Sequence, residues 1–167
     1  KLVDSAHNGR ILKDGIRIVL CGKPNVGKSS LLNVLLKQER AIVTAIAGTT
    51  RDALEESAQI KGVPFQLVDT AGILEPRDLI EEEAVRRSHL FIDSADLVLL
   101  ILDAGQPLEE ADMMLIEKLK GRKVLFVLNK SDLPQRLDES LLPAGKRLKV
   151  SALQKTAIEE LENSIFN

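Results

Sequence analysis

Short runs of β-branched residues and leucine alternate along the chain with longer stretches whose apolar residues recur at helical spacing. The runs predict strands near Ile16–Cys21, Ala53–Ile60, Phe65–Asp69, Leu97–Leu102, Lys123–Leu128 and Arg147–Val150. The stretches between them predict helices near Ser29–Leu36, Leu79–Ile92, Leu108–Leu119 and Thr156–Ile165, with Ile80, Ala84 and Phe91 on the core face of the second. Such alternation is the mark of βαβ units wound into a parallel sheet. Lys61-Gly62 leaves no room for a crossover helix, so the second and third strands should form an antiparallel hairpin. The expected fold is therefore α/β, a six-stranded, mostly parallel sheet with one antiparallel edge strand and helices on both faces. Residues 1–15 show little core pattern beyond Leu2, Ile11 and Leu12 and read as a linker at the end of a preceding domain, leaving 16–167 as the domain itself.

Composition narrows this picture. A chain of 167 residues suits one domain, able to bury roughly 70% of the surface its unfolded form exposes. With 29% charged and 44% hydrophobic residues and a formal net charge of −2, neither disorder nor a uniformly basic nucleic-acid-binding surface is indicated. No apolar run approaches the roughly 20 residues that cross a bilayer, and the start Lys1-Leu2-Val3-Asp4 has neither an initiator Met nor a signal pattern. The expectation is a piece of a longer cytoplasmic protein with no membrane partner. Cys21 has no second cysteine to pair with and reads as a small buried hydrophobe, and His7 and His89 make no metal set.

The chemistry is concentrated at strand ends. Gly22-Lys23-Pro24-Asn25-Val26-Gly27-Lys28-Ser29 fits the G-x-x-x-x-G-K-S phosphate loop, directly after a predicted strand and before a predicted helix. Glycines let backbone N–H groups turn onto phosphates, Lys28 offers a charge to the β- and γ-phosphates, Ser29 a hydroxyl to Mg²⁺, and the helix start its positive dipole end. Asp69-Thr70-Ala71-Gly72 closes the third strand, where a carboxylate suits the Mg²⁺ shell and a glycine N–H the γ-phosphate. Asn129-Lys130-Ser131-Asp132 closes the fifth. Asp132 can accept from two N–H groups of guanine, a donor pair that adenine lacks, so the nucleotide should be GTP. Ser151-Ala152-Leu153 after the sixth strand offers a backbone N–H to the guanine carbonyl.

This set in this order resembles the TRAFAC-class GTPases, and Gly48-Thr49-Thr50-Arg51-Asp52 is similar to the G-T-T-R-D switch I of the bacterial Era- and Der-like group. Three further segments resemble the tRNA-modification GTPases within it: Gly9-Arg10-Ile11-Leu12-Lys13-Asp14-Gly15, the block running from Ala41 through Asp52, and Asp78-Leu79-Ile80-Glu81. The resemblance covers nearly the whole chain and implies a Ras-like P-loop G domain cut from a protein with folate-binding and helical domains and a terminal Cys-containing motif. It implies phosphate contacts from Asn25, Val26, Gly27, Lys28, Ser29 and Ser30. Further nucleotide contacts are implied for Thr44, Ala45, Ile46, Ala47, Gly48, Thr49 and Thr50 of switch I and for Asp69, Thr70, Ala71 and Gly72. Around the base it implies Asn129, Lys130, Asp132, Ser151, Ala152 and Leu153. Thr50 joins Ser29 and Asp69 as a Mg²⁺ ligand.

The reaction expected is GTP plus water to GDP and phosphate, in which water must be positioned and negative charge offset. Ras-like relatives have glutamine after the glycine of the Asp-Thr-Ala-Gly motif; here Ile73-Leu74 follows, and neither can orient water. The resemblance implies Glu81 as the catalytic carboxylate, although Glu81 beside Glu82 and Glu83 also fits a solvated helix face. It implies too that K⁺ supplies the charge, held by Asn25 and by carbonyls of Thr44, Ile46 and Thr49, although Asn25 also fits a turn-capping role. With that cation come two further implications, pairing of two G domains in the transition-state-like form and, in the intact protein, wobble-uridine modification of tRNA with a flavin-dependent partner. Two rivals stay open, a Der-like ribosome-assembly module and a GTP-binding scaffold that does not hydrolyse. The acidic, helical stretch from Glu75 to Glu83 stands where Der-like domains usually carry basic residues.

Overall fold

The computed structural model describes residues 16–38, 57–69 and 79–166. In chain order these form β1 Ile18–Gly22, α1 Lys28–Gln38, β2 Ser57–Ile60, β3 Val63–Asp69, α2 Leu79–Ser94, β4 Leu97–Asp103, α3 Glu110–Lys118, β5 Val124–Asn129, a 3₁₀ turn Glu139–Leu141, β6 Lys146–Lys149 and α4 Ile158–Phe166. One six-stranded sheet runs β2-β3-β1-β4-β5-β6. Among the described residues only the β2–β3 pair is antiparallel, at the sheet edge, and the other four strand pairs are parallel. This is the architecture expected from the hydrophobic pattern. Lys61 (φ 52) and Gly62 (φ 75) both take the left-handed conformation that a two-residue hairpin turn requires.

Alternation along the central strands sends their side chains to two cores. Ile18 and Leu20 of β1, Leu99 and Ile101 of β4, and Leu125 and Val127 of β5 face α1 and α4 through Leu31, Leu35, Ile158 and Leu161. Val19 and Cys21, Val98, Leu100 and Leu102, and Phe126 and Leu128 face the opposite layer, where Ile92 of α2 and Leu115 and Ile116 of α3 cover them. Phe91 packs half-buried beside Ile92; the side chains of Ile80 and Ala84 lie outside the described residues. A sheet buried on both faces is what makes continuous apolar runs such as Leu97–Leu102 stable as strands.

Element ends depart from expectation for local reasons. Helix α3 starts at Glu110 instead of Leu108, because the Glu109 N–H donates to Asp112 Oδ2 at 2.9 Å and closes the first turn. Helix α4 starts at Ile158 instead of Thr156. Lys155 and Ala157 both have positive φ, and Ser151 and Thr156 exchange two backbone hydrogen bonds that close the preceding loop on itself and keep Thr156 out of the helix. The 3₁₀ turn was not expected; Asp138 Oδ1 accepts from Ser140 N at 2.9 Å, and the Asp-x-Ser spacing is the signal that marks it. Residues 53–56 of the second expected strand and the linker 1–15 lie outside the described residues.

Candidate functional site

Parallel strands bring their carboxyl ends to one edge of the sheet, with Gly22 in register with Asp69 and Asp103 with Asn129. The chain winds to β3 on one side of β1 and to β4 on the other, so the loop after β1 sits at the point where strand order reverses. In open α/β sheets that is where ligands bind.

The loop from Gly22 to Lys28 is curled around the Lys28 ammonium, which donates to the carbonyls of Gly22 and Lys23, both at 2.8 Å. Its shape depends on missing side chains. A Cβ on Gly22 would lie 2.4 Å from the Ile101 carbonyl oxygen, and one on Gly27, whose φ is +99, would lie 2.2 Å from Asn129 Nδ2. Asn25 takes φ 65 at the exposed tip, a conformation asparagine tolerates better than most residues. Val26 is buried, while Ser29 and Ser30 are exposed at the head of α1. The Leu31 N–H reaches the Gly27 carbonyl at 2.9 Å and starts the helical ladder. Cys21, just upstream, is fully buried; burial pushes its thiol up to about 12 against the opposing charge of Lys28, so it stays protonated at neutral pH and behaves as the small hydrophobe expected.

At the other end of the site Asn129 is 2% exposed and uses both ends of its amide inside the protein. Nδ2 donates to the Val26 carbonyl at 2.9 Å, and Oδ1 accepts from the Ala152 N–H at 3.0 Å. One side chain thus ties together the phosphate loop, the Asn-Lys-Ser-Asp segment and the Ser-Ala-Leu segment. Asp132 is exposed, and its Oδ1 accepts from the Ser151 hydroxyl at 2.6 Å. That hydroxyl also accepts from the Gln154 N–H at 3.1 Å. Lys130, with φ 61, places its ammonium 2.7 Å from Asp103 Oδ2, and Asp103 Oδ1 accepts from the Gly105 N–H. Leu153 is 85% exposed at the rim.

Several expected site residues lie outside the described residues: Thr44, Ala45, Ile46, Ala47, Gly48, Thr49 and Thr50, and Thr70, Ala71 and Gly72. Asp69 is placed by its backbone, and Glu81 lies on α2. Next to it, Glu82 is exposed and Glu83 is held as an ion by its own helix: hydrogen bonds from Arg86 at 2.8 and 3.0 Å lower its pKa, with Arg87 adding to the effect. Sequence reasoning did not single out Asp103, the Ser151 hydroxyl as the partner of Asp132, or Lys23. Among the described residues no helix is long and apolar enough to cross a membrane.

Comparison with known proteins agrees with this geometry. Residues 17–130 match the family described as 50S ribosome-binding GTPase. The chain is 47% identical over its whole length to the tRNA modification GTPase MnmE of Thermoanaerobacter sp. strain X514, spanning 37% of that protein. It is 48% identical over 99% of its length to the protein of the same name from Aquifex aeolicus, again spanning 37%. Among solved structures, Aquifex aeolicus Era bound to GDP and aluminium fluoride is similar at TM-score 0.61 and 28% identity, over 89% of this chain and 55% of that one. The G domain of the Thermotoga maritima FeoB iron transporter is similar at TM-score 0.61 and 27% identity, over 90% of this chain and 96% of that one.

Proposed function

The chain belongs to the 50S ribosome-binding GTPase family and is a GTPase, and we propose that it is the G domain of a tRNA wobble-uridine modification GTPase. The observation that carries this reading is the likeness to the MnmE relatives over the full chain. The chain spans little more than a third of those proteins, so tRNA, a flavin-dependent partner protein and a cytoplasmic setting belong to the intact protein of this proposal.

In this reading the curled loop after β1 receives the triphosphate. Lys28 exchanges its carbonyl partners for phosphate oxygens, and the loop N–H groups and the head of α1 face the same charge. Asp132, oriented by Ser151, accepts from the guanine N–H groups, and Lys130, drawn toward Asp103, lines the base. Mg²⁺ fits the donor set: the Ser29 hydroxyl at the head of α1 and the carboxylate of Asp69, whose backbone is in register with Gly22 at the start of the loop, are hard oxygen ligands, and Thr50 would add a third. When bound, the ion neutralises phosphate charge. Glu81 orients the attacking water, the task that Ile73 cannot perform. For K⁺ the fit is again one of oxygen chemistry. Asn25 stands exposed at the loop tip with an amide oxygen to offer, and Thr44, Ile46 and Thr49 would complete the cage. Its charge would act at the γ-phosphoryl group.

Two predictions test this. With GDP and aluminium fluoride, KCl should drive the chain from monomer to a two-fold dimer and NaCl should do so poorly, as read by sedimentation velocity. K⁺ should also raise turnover roughly tenfold over an ionic-strength control, which corresponds to about 1.4 kcal/mol of barrier. Equal dimerisation and equal rates in the two salts would remove the cation from the mechanism and return Asn25 to a turn-capping role. Glu81→Ala should slow phosphate release roughly 100-fold while sparing K⁺-dependent dimerisation. Unchanged hydrolysis in that variant would assign Glu81 to the solvated face of α2.

A further inference from the structure

Lys23, in the phosphate loop, reaches with its side chain to the start of α3. Its ammonium lies 2.9 Å from Glu109 Oε2 and 2.8 Å from Asp112 Oδ2, at the start of α3. The two carboxylates differ. Glu109 is largely exposed, whereas the Asp112 side chain is 4% exposed and is fixed by the Glu109 N–H. A carboxylate this buried needs a cation, and removing one partner of such a pair leaves an uncompensated charge. Burial works to lower the Lys23 pKa, but hydrogen bonds and charge from Asp112 and Glu109 outweigh it, so the ammonium is kept.

The same residue touches Lys28 through its backbone, because the Lys23 carbonyl is one of the two oxygens that receive the Lys28 ammonium. A continuous chain of contacts therefore runs from the α3 cap through Asp112, the Lys23 side chain and the Lys23 carbonyl to the residue that meets phosphate. At its other end the connection leaves β4 at Asp103, whose carboxylate holds the Lys130 ammonium. One connection grips both halves of the site.

We infer that the β4–α3 connection is a brace that positions the phosphate loop through Lys23 and Asp112, and that it slows nucleotide release. Lys23 and Asp112 are positioning residues, acting through the Lys23 carbonyl and the loop backbone. The inference rests on the phosphate-loop reading of residues 22–29.

Stopped-flow release of N-methylanthraniloyl-GDP from the chain in Mg²⁺ buffer tests it. Asp112→Asn keeps an oxygen to accept from Glu109 and leaves no buried charge, whereas Lys23→Met keeps the apolar stem but strips Asp112 of its cation, so a melting curve accompanies each release trace. Each variant should speed release roughly tenfold; Lys23→Met/Asp112→Asn should be no faster than either alone, and Lys23→Arg should stay within about twofold of wild type. Wild-type release in the single variants with lowered melting temperatures, or effects that multiply in the double variant, would overturn the brace. Lys28→Ala is run beside them. If it binds GDP as tightly as wild type, it is the phosphate-loop reading that fails.

Discussion

Asp132→Asn should convert the chain from GTP selection to acceptance of xanthosine triphosphate. A carboxylate at this position accepts from guanine N1–H and from its N2 amino group. An amide accepts at one position and donates at the other, so it faces the N2 amino group donor to donor. Xanthine carries an oxygen there, and the amide then pairs at both positions. Each hydrogen bond to a charged group contributes about 1.5–3 kcal/mol, so losing the one to the N2 amino group should weaken GTP binding on the order of 100-fold. The fold should be spared. Asp132 is exposed, and an asparagine Oδ1 can still accept from the Ser151 hydroxyl that now sits 2.6 Å from the carboxylate. Competition binding with GTP, XTP and ATP measures the exchange. A variant that keeps wild-type GTP affinity and gains no XTP binding would show that Asp132 does not read the base.

What the sequence disclosed and what it withheld divide along physical lines. The mostly parallel sheet, its antiparallel hairpin and the helices on both faces follow from side-chain period and from turn chemistry, which act between near neighbours: Ile18 and Leu20 share a face because strands have period two, and Lys61-Gly62 turns because two positive φ values are accessible there. Site motifs were legible because each sits at a strand end where its backbone geometry is local. The contacts that join the motifs were not. Lys23 meets Glu109 from 86 residues away and Lys130 meets Asp103 from 27, and neither pairing leaves a mark on local periodicity. The late start of α4 was hidden for a different reason. Lys155 and Ala157 adopt positive φ without being glycine or asparagine, so the usual signal of a left-handed residue is missing. The resemblance supplied what spacing could not, and the match over residues 17–130 bears out the family.

Asn129 is where the linkage is densest, and Asn129→Ala should damage folding and nucleotide binding together. Its amide is the partner of the Val26 carbonyl and of the Ala152 N–H in a site with 2% exposure, and water cannot readily replace it. Each buried group left unpaired costs about 1–3 kcal/mol, so the two together should cost about 4 kcal/mol. For a domain of this size that is a fall of roughly 8–16 °C in melting temperature. The phosphate loop also loses its wall, since Nδ2 packs 2.2 Å from where a Gly27 Cβ would stand. GDP should therefore bind at least 100-fold more weakly, about 2.7 kcal/mol, even under conditions where the variant is folded. Asn129→Asp separates the two ends of the bridge. Its carboxylate still accepts from Ala152, but sets an acceptor against the Val26 carbonyl, so the loss should fall on the phosphate loop while the Ser151–Leu153 segment holds. Differential scanning calorimetry with and without GDP reads both effects. A variant that melts like the wild type but fails to bind would mean that Asn129 acts on the nucleotide directly, and the bridge between phosphate loop and base loop would lose its energetic role.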